Sequence, residues 1–258
     1  MKSTNIRLFS AVASLFLMAF AAAGNAAAAP VHNIVLVHGA WVTGAGWQPV
    51  DDILVKDGYH VTIAQHLLTS FNDDVTAVNR AIAMQDGPTI LVGHSYGGAL
   101  ITDAGNDPHV VGLVYVAAHA LDQGETEVGN GKRFPNATKA VRKLPDGFSY
   151  LDPTLYAADF TADLSPKQAE FEAHAQVFTA LSVFTVPEGQ PAWRTKPSWY
   201  AVAGADRIIN PDLERMYAKR AHSHTIEVSG ASHSVYESHP REIALLIEDA
   251  ANHALDGK

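Results

Sequence analysis

Three residues far apart in the chain, Ser95, Asp206 and His233, carry side chains that together could perform nucleophilic catalysis. A serine hydroxyl is a weak nucleophile at its own pKa. It needs a base to take its proton and a third group to orient that base. Ser95 stands in Gly93-His94-Ser95-Tyr96-Gly97. Glycine on both sides lets the backbone turn sharply without Cβ collisions and leaves the hydroxyl standing proud. Asp206 closes Gly204-Ala205-Asp206, and His233 closes Gly230-Ala231-Ser232-His233. Attack on a carbonyl makes an oxyanion, which needs two preorganised donors. The backbone N–H groups of Tyr96, directly after the serine, and of Ala40, in His38-Gly39-Ala40-Trp41, are the candidates for that oxyanion hole.

These residues need elements that bring them to one place. Thr89 to Val92 is an apolar run that predicts a buried strand, and Gly98 to Ile101 continues past Ser95 as a helix. His32 to His38, Val110 to Ala117 and Ser198 to Ala203 read as further central strands, and Tyr59 to Ile63 and His224 to Val228 as two more. Helical spacing falls between them: Trp47 to Lys56, a segment capped by Asn72 and carrying Val75, Val78 and Ile82, one opened by Pro211, and one opened by Pro240. Strands alternating with helices predict an α/β fold with a doubly wound, mostly parallel sheet. In such sheets reactive groups gather beyond the carboxyl ends of strands, where Ser95, Asp206 and His233 all fall. From about residue 120 to 196 the rhythm breaks. Ser165-Pro166-Lys167-Gln168 predicts a capped helix start running through Phe171 to Phe178. This segment reads as a mostly helical cap over the sheet's carboxyl end.

Other residues compete for the same roles. Asp122 follows the Val110 strand and is an alternative acid. His94 sits inside the serine turn and reads as packing beside the sheet, His38 as ordering its own loop, and His119 as a core histidine, with a place facing the pocket as its alternative. His222 and His224 form a His-x-His without a third ligand at metal spacing and read as surface residues. No metal or cofactor is expected.

Composition narrows the partners. The chain has no cysteine, so thiolate nucleophiles, disulfides and cysteine metal sites are excluded. Residues 1–29 have the outline of a secretory signal peptide: a basic start with Lys2 and Arg7, an apolar run from Leu8 to Ala23, and a small-residue stretch to Ala29. Its removal takes the formal charge from −9 to −11. The expected mature unit is residues 30–258, secreted or periplasmic, with neither nucleic acid nor a stable membrane span as partner.

Val35-Leu-Val-His-Gly-Ala-Trp41, Gly93-His-Ser-Tyr-Gly-Gly98, Ala203-Gly-Ala-Asp206 and Ala231-Ser-His233-Ser resemble the motifs of the α/β-hydrolase superfamily, in particular its small single-domain esterase branch. That branch includes plant esterases and hydroxynitrile lyases and is related to cofactor-free haloperoxidases. The resemblance spans nearly all of the mature chain. It implies Ser95 as nucleophile, Asp206 as acid, His233 as base, and Ala40 and Tyr96 as oxyanion donors. The expected activity is hydrolysis of a small carboxylic ester through an acyl-enzyme. The alternatives are lyase-like or perhydrolase chemistry at the same site, or a non-catalytic binding module. Hydroxynitrile lyases of the branch carry threonine and lysine where this chain has Gly39 and Ser234, which argues against cyanohydrin chemistry. Trp41 and the cap aromatics Phe178 and Phe184, with Phe171 and Trp193 beside them, are expected to wall an apolar acyl or aryl pocket.

Overall fold

The computed structural model describes residues 31–256. The segment read as a signal peptide lies outside the described residues. The chain runs β1 (Asn33–Val37), a 3-10 turn (Gly44–Trp47), α1 (Gln48–Lys56), β2 (His60–Ala64), α2 (Phe71–Ala83), β3 (Thr89–His94), α3 (Gly97–Ala104) and β4 (Val110–Val116). An insertion follows, with α4 (Glu127–Arg133), β5 (Val141–Lys143), β6 (Phe148–Leu151), α5 (Pro153–Asp159), α6 (Pro166–His174), β7 (Thr179–Ala180) and two further 3-10 turns. The chain then returns through β8 (Ser198–Ala203), α7 (Pro211–Arg220), β9 (His224–Val228), α8 (Val235–Ser238) and α9 (Pro240–His253).

Six strands form one sheet in the order β2-β1-β3-β4-β8-β9, and every neighbouring pair is parallel. The chain leaves β1 for β2 on one side and comes back to place β3 on the other. The order therefore reverses at β1/β3, which opens a crevice beyond the carboxyl ends of those two strands. β1, β3, β4 and β8 are buried along their whole length, which is why they read as unbroken apolar runs. Alternate residues feed opposite faces. Val35 and Val37 pack with α2, α3 and α7 through Val78, Leu100 and Leu213. Ile34 and Leu36 pack with α1 and α9 through Val50, Leu54, Ile243 and Ile247. Each such side chain contributes about 1.5–3 kcal/mol when fully buried. A one-residue slip of β1 would turn both sets the wrong way.

Two local expectations need correction. The N-cap of α2 is Ser70, not Asn72: Ser70 is extended, and its side chain accepts from the Asp73 N–H. α6 begins as expected, with Ser165 accepting from the Gln168 N–H, but ends at His174 rather than continuing to Phe178. There the Gln176 side chain takes the Ala173 and Leu151 carbonyls and turns the chain toward β6. The insertion is also less helical than expected. β5, β6 and β7 form a small antiparallel sheet. Leu151, Tyr156, Phe160 and Val183 of the insertion join the core on the α2/α3 face.

Candidate active site

β3 delivers Ser95 at its carboxyl end, and the residue sits at φ 55°, in the left-handed region. Two close approaches explain the flanking glycines. A Cβ on Gly93 would lie 2.5 Å from the Gly97 carbonyl oxygen, and one on Gly97 would lie 2.7 Å from the carbonyl oxygens of Val37 and His38. The turn is fastened to the next strand: the Ser95 N–H donates to the Val116 carbonyl (3.3 Å), and the Ser95 carbonyl accepts from the His119 N–H (3.1 Å). Such strain at a side chain held by so many bonds marks a place where geometry is imposed.

His233 lies beyond β9, fully buried, with its Nε2 2.9 Å from the Ser95 Oγ and its Nδ1 2.5 Å from the Asp206 Oδ2. A carboxylate can only accept, so Nδ1–H donates to Asp206 and Nε2 keeps a free lone pair for the Ser95 hydroxyl proton. Asp206, beyond β8, is held by its other oxygen, which accepts from the N–H groups of Ile208 (2.7 Å) and Ile209 (3.0 Å). The structure thus brings Ser95, His233 and Asp206 into one hydrogen-bonded line. Asp122 does not join it; its carboxylate pairs with Arg194 at 2.6 Å.

The loop after β1 passes directly beside the serine. A Cβ on Gly39 would lie 2.7 Å from the Ser95 Cβ. Ala40 and Tyr96 are both 1% exposed, and neither backbone N–H is taken by a carbonyl of the described turns and loops. Tyr96 opens α3, so its N–H sits at the positive end of the helix.

Several buried side chains hold this arrangement, and of these Asp74, His66, Glu214 and Phe160 carry no sequence signal for that role. Tyr96 Oη donates to Asp74 Oδ2 (3.0 Å), while Asp74 Oδ1 accepts from the Leu68 N–H (3.0 Å) and lies 3.6 Å from the His66 Nδ1. His66 stacks on His38 at 3.7 Å, and His66 Nε2–H donates to the His38 carbonyl (3.0 Å). The serine turn and the loop after β1 are thereby tied through α2. Burial and the adjacent His66 push His38 down to about 3, so it is neutral and orders its loop. His94 does more than pack: its Nε2–H donates to the His233 carbonyl (3.1 Å). Burial, with His233 beside it, holds His94 well below the usual imidazole range. Glu214 of α7 is buried and accepts from the Ala203 N–H (3.0 Å); burial and the Asp206 carboxylate push its carboxyl well up. From the insertion, the Phe160 ring meets the His233 ring edge-on at 4.8 Å, and its carbonyl accepts from the Ser234 N–H (3.1 Å).

Ser95 opens into a cavity of about 600 Å³ walled by Ala40, Trp41, His119, Phe184, Ile208 and Leu213, among others. Trp41 is pinned by the small sheet, with its N–H on Thr179 Oγ1 (3.0 Å) and Nε1–H on Ser149 Oγ (3.1 Å). Its ring faces Phe184 at 5.5 Å. His119 lines the cavity rather than the core, and burial followed by His233 lowers it to about 3. Phe178 is a correction: it is 56% exposed, lies outside this cavity and packs on Tyr150. Phe171 is exposed, and Trp193 is buried with its Nε1–H on the Leu121 carbonyl, so neither walls the cavity. His222 and His224 are exposed, and no metal-ligating cluster occurs among the described residues. No described helix is long and apolar enough to cross a membrane.

Residues 34–244 match the profile of the alpha/beta hydrolase family. A pyrethroid hydrolase from Sphingobium wenxiniae is 29% identical over 255 residues, covering 86% of this chain and 88% of that protein. A carbendazim hydrolyzing esterase from a Nocardioides species is 33% identical over 110 residues, covering 36% of this chain and 45% of that protein. The crystal structure of a pyrethroid hydrolase superposes with a TM-score of 0.72 at 26% identity, over 86% of this chain and 98% of the other. The all-parallel sheet, the strained serine turn at its switch point and this match over most of the sequence lead to one conclusion: the chain belongs to the alpha/beta hydrolase family.

Proposed function

We propose that the protein hydrolyses carboxylic esters through an acyl-enzyme on Ser95. The observation that carries this reading is the continuous line from Ser95 Oγ through His233 to Asp206, with contacts of 2.9 and 2.5 Å. His233 Nε2 takes the hydroxyl proton as Oγ attacks the ester carbonyl. Asp206 keeps Nδ1 protonated and stabilises the imidazolium that forms. The N–H groups of Ala40 and Tyr96 receive the oxyanion. His233 then gives its proton to the departing alcohol oxygen and the acyl group remains on Ser95. A water molecule, deprotonated by the same imidazole, attacks the acyl carbon and releases the acid. The apolar wall formed by Trp41, Phe184, Ile208 and Leu213 suits an aliphatic or aromatic part of the ester. The relatives named for hydrolysing a pyrethroid and carbendazim support hydrolysis of small esters.

A panel of p-nitrophenyl esters of rising acyl length tests this. Turnover by the wild type that is abolished in Ser95→Ala is expected; turnover that survives in Ser95→Ala refutes it. We also propose that a leader within residues 1–29 directs export and is removed. The protein recovered from the exported fraction then has the mass of a chain cut between Ala21 and Ala29; a full-length mass there contradicts this.

A further inference from the structure

The cavity in front of Ser95 has a charge opposite to that of the chain. The protein carries a formal −9, yet three of its nine lysines, Lys132, Lys139 and Lys143, line this one cavity. They come from three separate stretches: α4, the loop after it, and β5. All three are exposed. None of their ammonium groups is in an ion pair among the described residues. The arginines and carboxylates around them are already matched: Arg133 and Arg220 with Glu125, Arg142 with Asp152, and Arg207 with Asp159. Asp146, in the turn after β5, accepts from the Phe148 N–H and is not part of the lining. The one carboxyl in the lining is Glu127, buried with its Oε2 3.4 Å from the His119 Nε2; burial and the nearby Glu188 push it well up, which disfavours its charged form. The cavity wall therefore presents three lysine ammonium groups against a single buried carboxyl. A concave, low-dielectric wall focuses such a field outward along the entrance.

We propose that the natural substrate is an ester bearing a second, anionic group, such as a free carboxylate. Lys132, Lys139 and Lys143 hold that group at the cavity mouth while the ester carbonyl lies at Ser95. The inference rests on the ester-hydrolase reading above and adds the substrate class to it. The cavity volume corresponds to roughly 10 Å across as a sphere, room for a short acyl chain or one aromatic ring between the two ends. A neutral ester fills the same apolar space without using the lysines.

Two matched pairs of esters test the proposal. p-Nitrophenyl hydrogen adipate against p-nitrophenyl hexanoate puts the charge on the acyl side. 4-Acetoxybenzoate against its methyl ester puts the charge on the alcohol side. The readout is the charged-to-neutral ratio of kcat/KM within each pair, so general changes in the enzyme cancel. In the triple variant Lys132→Gln, Lys139→Gln, Lys143→Gln, the ratio is expected to fall about tenfold in at least one pair, as three exposed charges of modest individual effect would give. In the wild type the same ratio is expected to fall as salt rises from about 20 to about 500 mM. Ratios unchanged within about twofold in both pairs, while the neutral esters are still turned over, overturn the substrate class and leave the ester reading standing. Failure of the wild type to hydrolyse any of the four esters overturns both.

Discussion

Replacing Asp206 with asparagine keeps the shape of the site and reverses the proton order within it. Asp206 Oδ1 accepts from two backbone N–H groups, of Ile208 and Ile209, at 2.7 and 3.0 Å. In Asp206→Asn the amide oxygen must occupy that place, because an NH2 group there would face two donors. The NH2 is then directed at His233 Nδ1, which becomes an acceptor. The imidazole proton moves to Nε2, 2.9 Å from Ser95 Oγ, where a lone pair is needed. With the wrong tautomer the serine has no base, and kcat is expected to fall about 10⁴-fold, or roughly 5 kcal/mol of barrier. p-Nitrophenyl butyrate hydrolysis measures this, and an unchanged melting temperature shows that the variant is folded. An Asp206→Asn enzyme within tenfold of wild type refutes the reasoning. So does a collapse in Asp122→Asn, since Asp122 is spent on Arg194.

Three further outcomes are expected. Gly97→Ala pushes a methyl group against the Val37 and His38 carbonyls and is expected to cost about 1–3 kcal/mol of stability by urea unfolding, with a loss of kcat. His94→Phe removes the donor to the His233 carbonyl; kcat is expected to drop about tenfold with KM unchanged, measured on the same ester. Glu188 is buried, and burial followed by Asp103 raises its carboxyl to about 8. The folded state therefore holds a proton that the unfolded state has released, so the group's contribution falls as pH rises from about 4.5 to about 8. Glu188→Gln cannot ionise, and its melting temperature relative to wild type is expected to be higher at pH about 8.5 than at pH about 5.

The main sheet was legible because β1, β3, β4 and β8 are buried on both faces, and burial forces continuous β-branched and apolar runs. Ser95 and Asp206 could be picked out because each follows such a run through a glycine-containing turn, and His233 because Gly230-Ala231-Ser232 leads to it from the last strand, the half-exposed edge strand β9. What escaped was set by tertiary contact. β7 has two residues and β5 reads Val-Arg-Lys, too short and too polar to show a strand period. Asp74 is indistinguishable in sequence from its neighbour Asp73, yet one meets Tyr96 in the core and the other accepts from the Ser70 hydroxyl at the surface. Phe178 looked like a pocket residue because it is an aromatic within the expected cap; that it packs on Tyr150 at the surface instead has no local sequence signal.

The central claim is that the Ser95 hydroxyl is made nucleophilic by His233. Treating the folded protein with a fluorophosphonate and mapping the adduct by peptide mass spectrometry addresses it directly. The account predicts one phosphonylated residue, Ser95, in the wild type and labelling slowed by orders of magnitude in His233→Ala. A wild-type protein that stays unlabelled at Ser95, or a His233→Ala variant labelled just as fast, contradicts it.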